Sequence, residues 1–203
     1  MTLINQRIWS PNWSTRPHGK ADVKGVILHH TATRGSRAAA IAVARYFAQR
    51  SSRVSATFVV ADDGYAIQCV PFYRAAWHAG PARYDWDHDG KIEPWNGETS
   101  INTTSIGIEI CNRGDGKDDF PDAQVKKVAR LIRYADGRCP NLRFKDITDH
   151  EAVLPGQKID MQPNWPAAKM FWWLLHGANS KPPNNVYARL PRWARKQVDE
   201  IKR

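Results

Sequence analysis

The sequence has no apolar run long enough to cross a bilayer. Stretches such as Phe171 to Leu175 fall far short of the roughly 20 residues a transmembrane helix requires. Cysteine is scarce. Cys69, Cys111 and Cys139 show no CxxC spacing, and an odd count excludes a complete disulfide framework, so they read as reduced, buried thiols. The opening MTLINQRIWSPNW lacks a basic segment followed by an apolar one, so no Sec-type signal is expected and the chain is expected to be made in the cytoplasm. Acidic residues are outnumbered, 20 Asp+Glu against 30 Lys+Arg, a net charge of +10. That excess calls for an anionic partner, whether nucleic acid, anionic membrane or acidic cell-wall polymer.

What is present is ordinary for a globular chain. Hydrophobic residues make up 42% and charged ones 25% of 203 residues, enough for one domain with a sizeable core and a short extension. The charge is uneven. Residues 177–203 carry seven basic and two acidic residues, half of the whole excess. This tail opens on the linker GANSKPPNN and continues as LPRWARKQVDEIKR, where Leu190, Trp193, Val198 and Ile201 fall near helical spacing. It reads as a basic amphipathic helix that either docks its apolar side on a 1–176 domain or contacts an anionic envelope surface.

Along the domain, strands are expected at Val23 to Leu28, Ala56 to Val60, Tyr65 to Cys69, Thr104 to Cys111 and Asp146 to Thr148. Helices are expected at Gly35 to Arg50 with Ser36 as N-cap, from Phe120-Pro121-Asp122 to about Ala135, and at Asn164 to Leu175. Alternating elements without internal repeats indicate an α/β domain with a central mixed β-sheet flanked by helices. His29 sits at the end of the first strand, His150 at the end of a later one and Asp160 ten residues on. Two imidazoles and a carboxylate from separated segments match the ligand set of a catalytic zinc.

Several segments carry a family resemblance in order: SPNWSTRP (Ser10 to Pro17), VILHHTAT (Val26 to Thr33), VSATFVVADDG (Val54 to Gly64), AWHAG (Ala76 to Gly80), NTTSIGIEI (Asn102 to Ile110) and ITDHEAVLPGQKID (Ile147 to Asp160). In these the chain resembles the type-2 N-acetylmuramoyl-L-alanine amidases, which include amidase-type phage lysozymes, muropeptide-recycling amidases and peptidoglycan recognition proteins. The resemblance implies that family's α/β fold, zinc held by His29, His150 and Asp160, and hydrolysis of the amide joining N-acetylmuramic acid to L-alanine in peptidoglycan. It gives Glu109 the role of proton carrier for the attacking water and Lys158 that of stabilising the oxyanion. His78 matches a position near the substrate cleft, and where relatives often carry Tyr or His this chain has Ala56 and Thr57, which leaves the Thr57 hydroxyl beside His78 as the expected polar contact to substrate. His30 reads as structural, because only alternate strand residues share a face.

The chain departs from that pattern in an insertion, Arg83 to Thr99. There Asp85, Asp87, Asp89, Gly90, Lys91, Glu93 and Asn96 occupy positions 1, 3, 5, 6, 7, 9 and 12 of a calcium loop. Position 12 is Asn96 where a bidentate Glu is expected, so the loop reads either as a Ca²⁺ site or as an acidic, aromatic border to the cleft. The favoured function is a phage or prophage endolysin, acting as a monomer on the cell wall after release from the bacterial cytoplasm. The alternatives are a cytosolic recycling amidase and a non-catalytic peptidoglycan-binding module. Nucleic acid is not the expected partner, because no zinc-finger spacing or RNA-binding aromatic motif is present.

Overall fold

The computed structural model describes residues 2–80, 100–154, 160–161 and 164–201. In chain order its elements are β1 (Gln6–Arg7), β2 (Trp13–Thr15), β3 (Gly25–His30), α1 (Arg37–Phe47), β4 (Phe58–Val60), β5 (Ala66–Gln68) and β6 (Arg74–Ala76). There follow α2 (Ile101–Thr104), β7 (Ser105–Ile110), α3 (Asp122–Asp136), β8 (Ile147–Asp149), α4 (His150–Val153), α5 (Ala167–His176), α6 (Val186–Arg189) and α7 (Arg192–Ile201).

Local chemistry accounts for the boundaries. Ser36 Oγ accepts from the Ala39 N–H and caps α1, as the sequence predicts. Pro121 stands at the N-cap of α3. Asp62, Asp63 and Gly64 turn β4 into the antiparallel β5, with Gly64 at φ +78° where an L side chain is strained. The first buried strand lies two residues later than the apolar run suggests, 25–30 rather than 23–28, so both His29 and His30 belong to it.

Six strands form a mixed sheet in the order β1-β5-β4-β7-β3-β8, with β4, β7, β3 and β8 mutually parallel. Parallel strands are covered on both faces, and these are. Val26, Leu28, Phe58, Val60, Ile106 and Ile108 point to a layer built by α3, α5 and α7. On the other face Val59 and Ile67 meet Ala40, Ala44 and Phe47 of α1. The alternation puts His29 and Glu109 on the α1 face, which is the face that carries the site.

The tail's apolar side is docked. Leu190, Ala194, Val198 and Ile201 are buried in the main core, and Trp193 meets Phe171 of α5 edge-on at 5.9 Å. What the tail turns outward is charge, with Lys181 before α6, Arg189 in α6, and Arg192 and Lys196 in α7 exposed. Removing residues 178–203 should therefore destabilise the domain as well as strip charge. Three large apolar side chains are lost from the core, each worth about 1.5–3 kcal/mol of burial, and the expected fall in Tm is at least about 10 °C. Scanning calorimetry showing an unchanged Tm would mean that the docked helix contributes nothing.

Candidate active site

Strand register decides which residues meet. In the β3·β7 ladder His29 lies opposite Glu109, and in the β3·β8 ladder Leu28 lies opposite Asp149, so His150 follows one step on, beside His29. With strands about 4.8 Å apart, Glu109, His29 and His150 make one row across three strands. The row sits at the C-terminal ends of the parallel strands, where open α/β sheets place their sites. Asp149 accepts from the Ala152 N–H at 2.9 Å, starting α4 immediately after β8 with His150 as its buried first residue.

His29 Nδ1 lies 3.1 Å from His150 Nδ1 and 3.3 Å from Asp160 Oδ2, and His150 Nδ1 lies 2.9 Å from the same oxygen. These three contacts cannot all be hydrogen bonds. A carboxylate oxygen only accepts, so both imidazoles would need a proton on Nδ1, and the two protons would then face each other. A cation among the three atoms satisfies them together, and ligands around a tetrahedral zinc stand about 3.3 Å apart. His29, His150 and Asp160 are all buried, and among the described residues they are the one group of His, Cys, Asp or Glu placed to hold a metal ion.

The charge states suit such an ion. Burial lowers the proton affinity of His29, leaving the neutral imidazole that ligates metal. Burial opposes ionisation of Asp160, but its contacts with His150 and His29 outweigh that and hold the carboxyl well below the usual carboxylate range. By contrast, burial pushes the thiols of Cys69 and Cys111 up to about 12 and that of Cys139 to about 11, so all three are the free, inert thiols expected.

The triangle opens on a cleft of about 680 Å³ that Glu109, Arg53, Trp77 and His78 also line, a volume suited to a ligand of several residues. The AWHAG turn is held at its edge by Asn102, whose Oδ1 accepts from the backbone N–H of His78 at 3.1 Å and of Ala79 at 2.9 Å. SPNWSTRP works further back. Asn12 Nδ2 donates to the Phe47 and Gln49 carbonyls, and the buried Arg16 donates through Nη2 to the Ser105 carbonyl at 2.6 Å, bracing the start of β7.

His29, His150, Asp160 and Glu109 are thus brought together as the sequence suggests. His78 lines the same cleft, but both of its ring nitrogens already face protein atoms. Nδ1 lies 3.0 Å from His29 Nε2, and Nε2 lies 3.2 Å from Ser105 Oγ. Burial, reinforced by His29 and His150, keeps its imidazole neutral. Thr57 is a correction. It pairs with Gly107, two residues below the level of Glu109, about 7 Å down the strand, and it is fully buried and absent from the cleft lining. Its hydroxyl is not placed to meet a substrate. Lys158 and the proposed calcium ligands Asp85, Asp87, Asp89 and Glu93 lie outside the described residues.

One contact was not legible in the sequence. His30 Nε2 reaches Asp160 Oδ1 at 3.4 Å. Strand alternation points His30 away from His29, but β3 ends there and the Asp160 segment passes the strand end.

A metal-competent triangle beside a cleft carboxylate thus stands at the C-terminal edge of the mixed sheet of an α/β domain. The chain belongs to the N-acetylmuramoyl-L-alanine amidase family, which it matches over residues 19–163. The 1,6-anhydro-N-acetylmuramyl-L-alanine amidase AmpD of Escherichia coli (strain K12) is 34% identical over 113 residues, 55% of this chain and 53% of that protein. The chain spans about half the length of the first curated relatives it matches. Among solved structures, the E. coli amidase AmiD in complex with the substrate anhydro-N-acetylmuramic acid-L-Ala-D-gamma-Glu-L-Lys shares the fold. Its TM-score is 0.58 at 23% identity, over 82% of this chain and 62% of that one. A mutant endolysin from Bacillus subtilis gives a TM-score of 0.53 at 25% identity, over 87% and 99%.

Proposed function

We propose that this protein is a zinc-dependent N-acetylmuramoyl-L-alanine amidase that hydrolyses the amide between the lactyl group of N-acetylmuramic acid and L-alanine in peptidoglycan. The observation that carries the reading is the row Glu109, His29, His150, closed by Asp160 in one cleft. His29, His150 and Asp160 hold the ion. Bound zinc would supply polarisation of the scissile carbonyl and acidification of a water. Glu109, one strand from His29, takes the proton of the attacking water and returns it to the L-alanine nitrogen as the C–N bond breaks. Lys158, two residues before Asp160, is assigned the negative charge that develops on the carbonyl oxygen.

The setting we favour is an endolysin, reaching the wall after release and working as a monomer. Its support is the exposed basic face of α6 and α7, which suits an anionic polymer or envelope and has no evident use on a small soluble muropeptide. Since the apolar side of the tail is docked, this attraction is electrostatic. Replacing Lys181, Arg189, Arg192 and Lys196 together with Gln should slow lysis of permeabilised cells at low salt and leave cleavage of a soluble muropeptide unchanged. An enzyme that turns over anhydro-muropeptides and leaves intact sacculi untouched would instead be a recycling amidase; the E. coli relative AmpD is named a 1,6-anhydro-N-acetylmuramyl-L-alanine amidase.

A further inference from the structure

Two histidines outside the ligand triangle each touch one of its members, and the surrounding hydrogen bonds fix where their protons lie. Ser105 Oγ donates to the Ile101 carbonyl at 2.6 Å, since a carbonyl can only accept. The hydroxyl oxygen therefore accepts at its other contact, from His78 Nε2–H at 3.2 Å. A neutral imidazole has one N–H, so His78 Nδ1 is an acceptor and receives the proton of His29 Nε2 across 3.0 Å. That leaves His29 Nδ1, the atom in the triangle, with a bare lone pair. A backbone carbonyl three links away thus sets the tautomer of the ligand.

The second arm works the same way. The Ala32 N–H donates to His30 Nδ1 at 3.2 Å, which puts the His30 proton on Nε2, facing Asp160 Oδ1 at 3.4 Å. The two carboxylate oxygens are thereby divided, with Oδ1 toward His30 and Oδ2 toward His29 and His150. Both outer imidazoles sit where only glycine leaves room. A Cβ at Gly107 would stand 2.5 Å from His78 Cγ, and one at Gly114, where φ is +70°, would stand 2.1 Å from His30 Cε1.

We propose that His78 and His30 are positioning residues of the metal site: His78 fixes the tautomer of His29, His30 fixes which oxygen of Asp160 binds, and Gly107 and Gly114 are their seats. The inference rests on the metal reading given above. Groups that orient metal ligands in this way typically change metal affinity about 10- to 100-fold when removed.

The test is zinc affinity of the full chain, measured by competition with a chromophoric chelator. His78→Phe keeps a ring on Gly107 but has no acceptor, whereas His78→Asn places an amide oxygen near the Nδ1 position. We expect zinc dissociation constants weaker by about 10- to 100-fold in His78→Phe and His30→Phe, partial recovery in His78→Asn, and weakening in Gly107→Ala, which touches no ligand. A purely packing role for His78 predicts the opposite order, Phe better than Asn, and that order would overturn the proposal. Ser105→Ala removes one hydroxyl and releases the His78 proton, so it tests the same chain if a bulkier variant folds poorly, and it should also bind zinc more weakly. One zinc per wild-type chain with unchanged affinity in His78→Phe and Ser105→Ala would overturn this inference alone. A wild-type chain that binds no zinc would overturn the metal reading and this inference with it.

Discussion

Glu109→Gln should lose about 10²- to 10⁴-fold in kcat on peptidoglycan, the usual contribution of a positioned proton carrier, while zinc content stays at that of the unmodified chain. The separation follows from the register. Glu109 is opposite His29 in the β3·β7 ladder and lines the cleft, yet it is not part of the His29, His150, Asp160 triangle. Glutamine preserves shape and hydrogen bonding but cannot take a proton from water or return one to the departing amine. KM should change little, because the substitution removes an interaction needed only as the bond is made and broken. Glu109→Gln with full turnover would show that another group carries the proton.

His29→Ala should abolish both activity and metal binding, with zinc affinity falling by more than the roughly 100-fold expected of an outer partner. His29 is the hinge of the site. Its Nδ1 faces His150 and Asp160, and its Nε2 faces His78. Without it His78 Nδ1 loses its donor, so some loss of thermal stability should accompany the loss of metal. Equilibrium dialysis distinguishes the two variants: Glu109→Gln retains zinc, whereas His29→Ala does not. Zinc bound as tightly by His29→Ala as by the wild type would remove His29 from the ligand set.

Much of this site is visible in the sequence because its parts are local signals. A β-branched apolar run ending in His-His, a carboxylate embedded in the strand SIGIEI, and a His and an Asp ten residues apart each mark a strand end or a group that burial would penalise without a task. The spatial relation is not visible, since it depends on parallel pairing between strands some 80 to 120 residues apart, and no local pattern states which residue will lie opposite which. His30 lies outside the triangle, yet it reaches Asp160 for a definite reason. Alternation holds inside a ladder, but at the strand's last residue a loop can pass the open end and meet either face. Thr57 is the opposite case. It lies on the α1 face with Val59 and Glu109, but too deep along the strand. Gly107 and Gly114 carry no sequence signal of function, because their importance lies in the imidazole each one admits. The tail presents two faces that the sequence describes well, and docking depends on whether the domain offers a surface for the apolar one. Here α5 does, through Phe171.

In the proposed function a zinc held by His29, His150 and Asp160 directs hydrolysis of the muramoyl to L-alanine amide. It is tested most directly by digesting purified sacculi with protein of measured metal content and resolving the products by mass spectrometry. The expected result is about one zinc per chain, loss of turnover on stripping with recovery on adding zinc back, and free stem peptides beginning in L-alanine beside glycan strands with unsubstituted lactyl carboxylates. Intact stem peptides, or cleavage at a glycosidic or peptide cross-link bond by zinc-loaded protein, would contradict it.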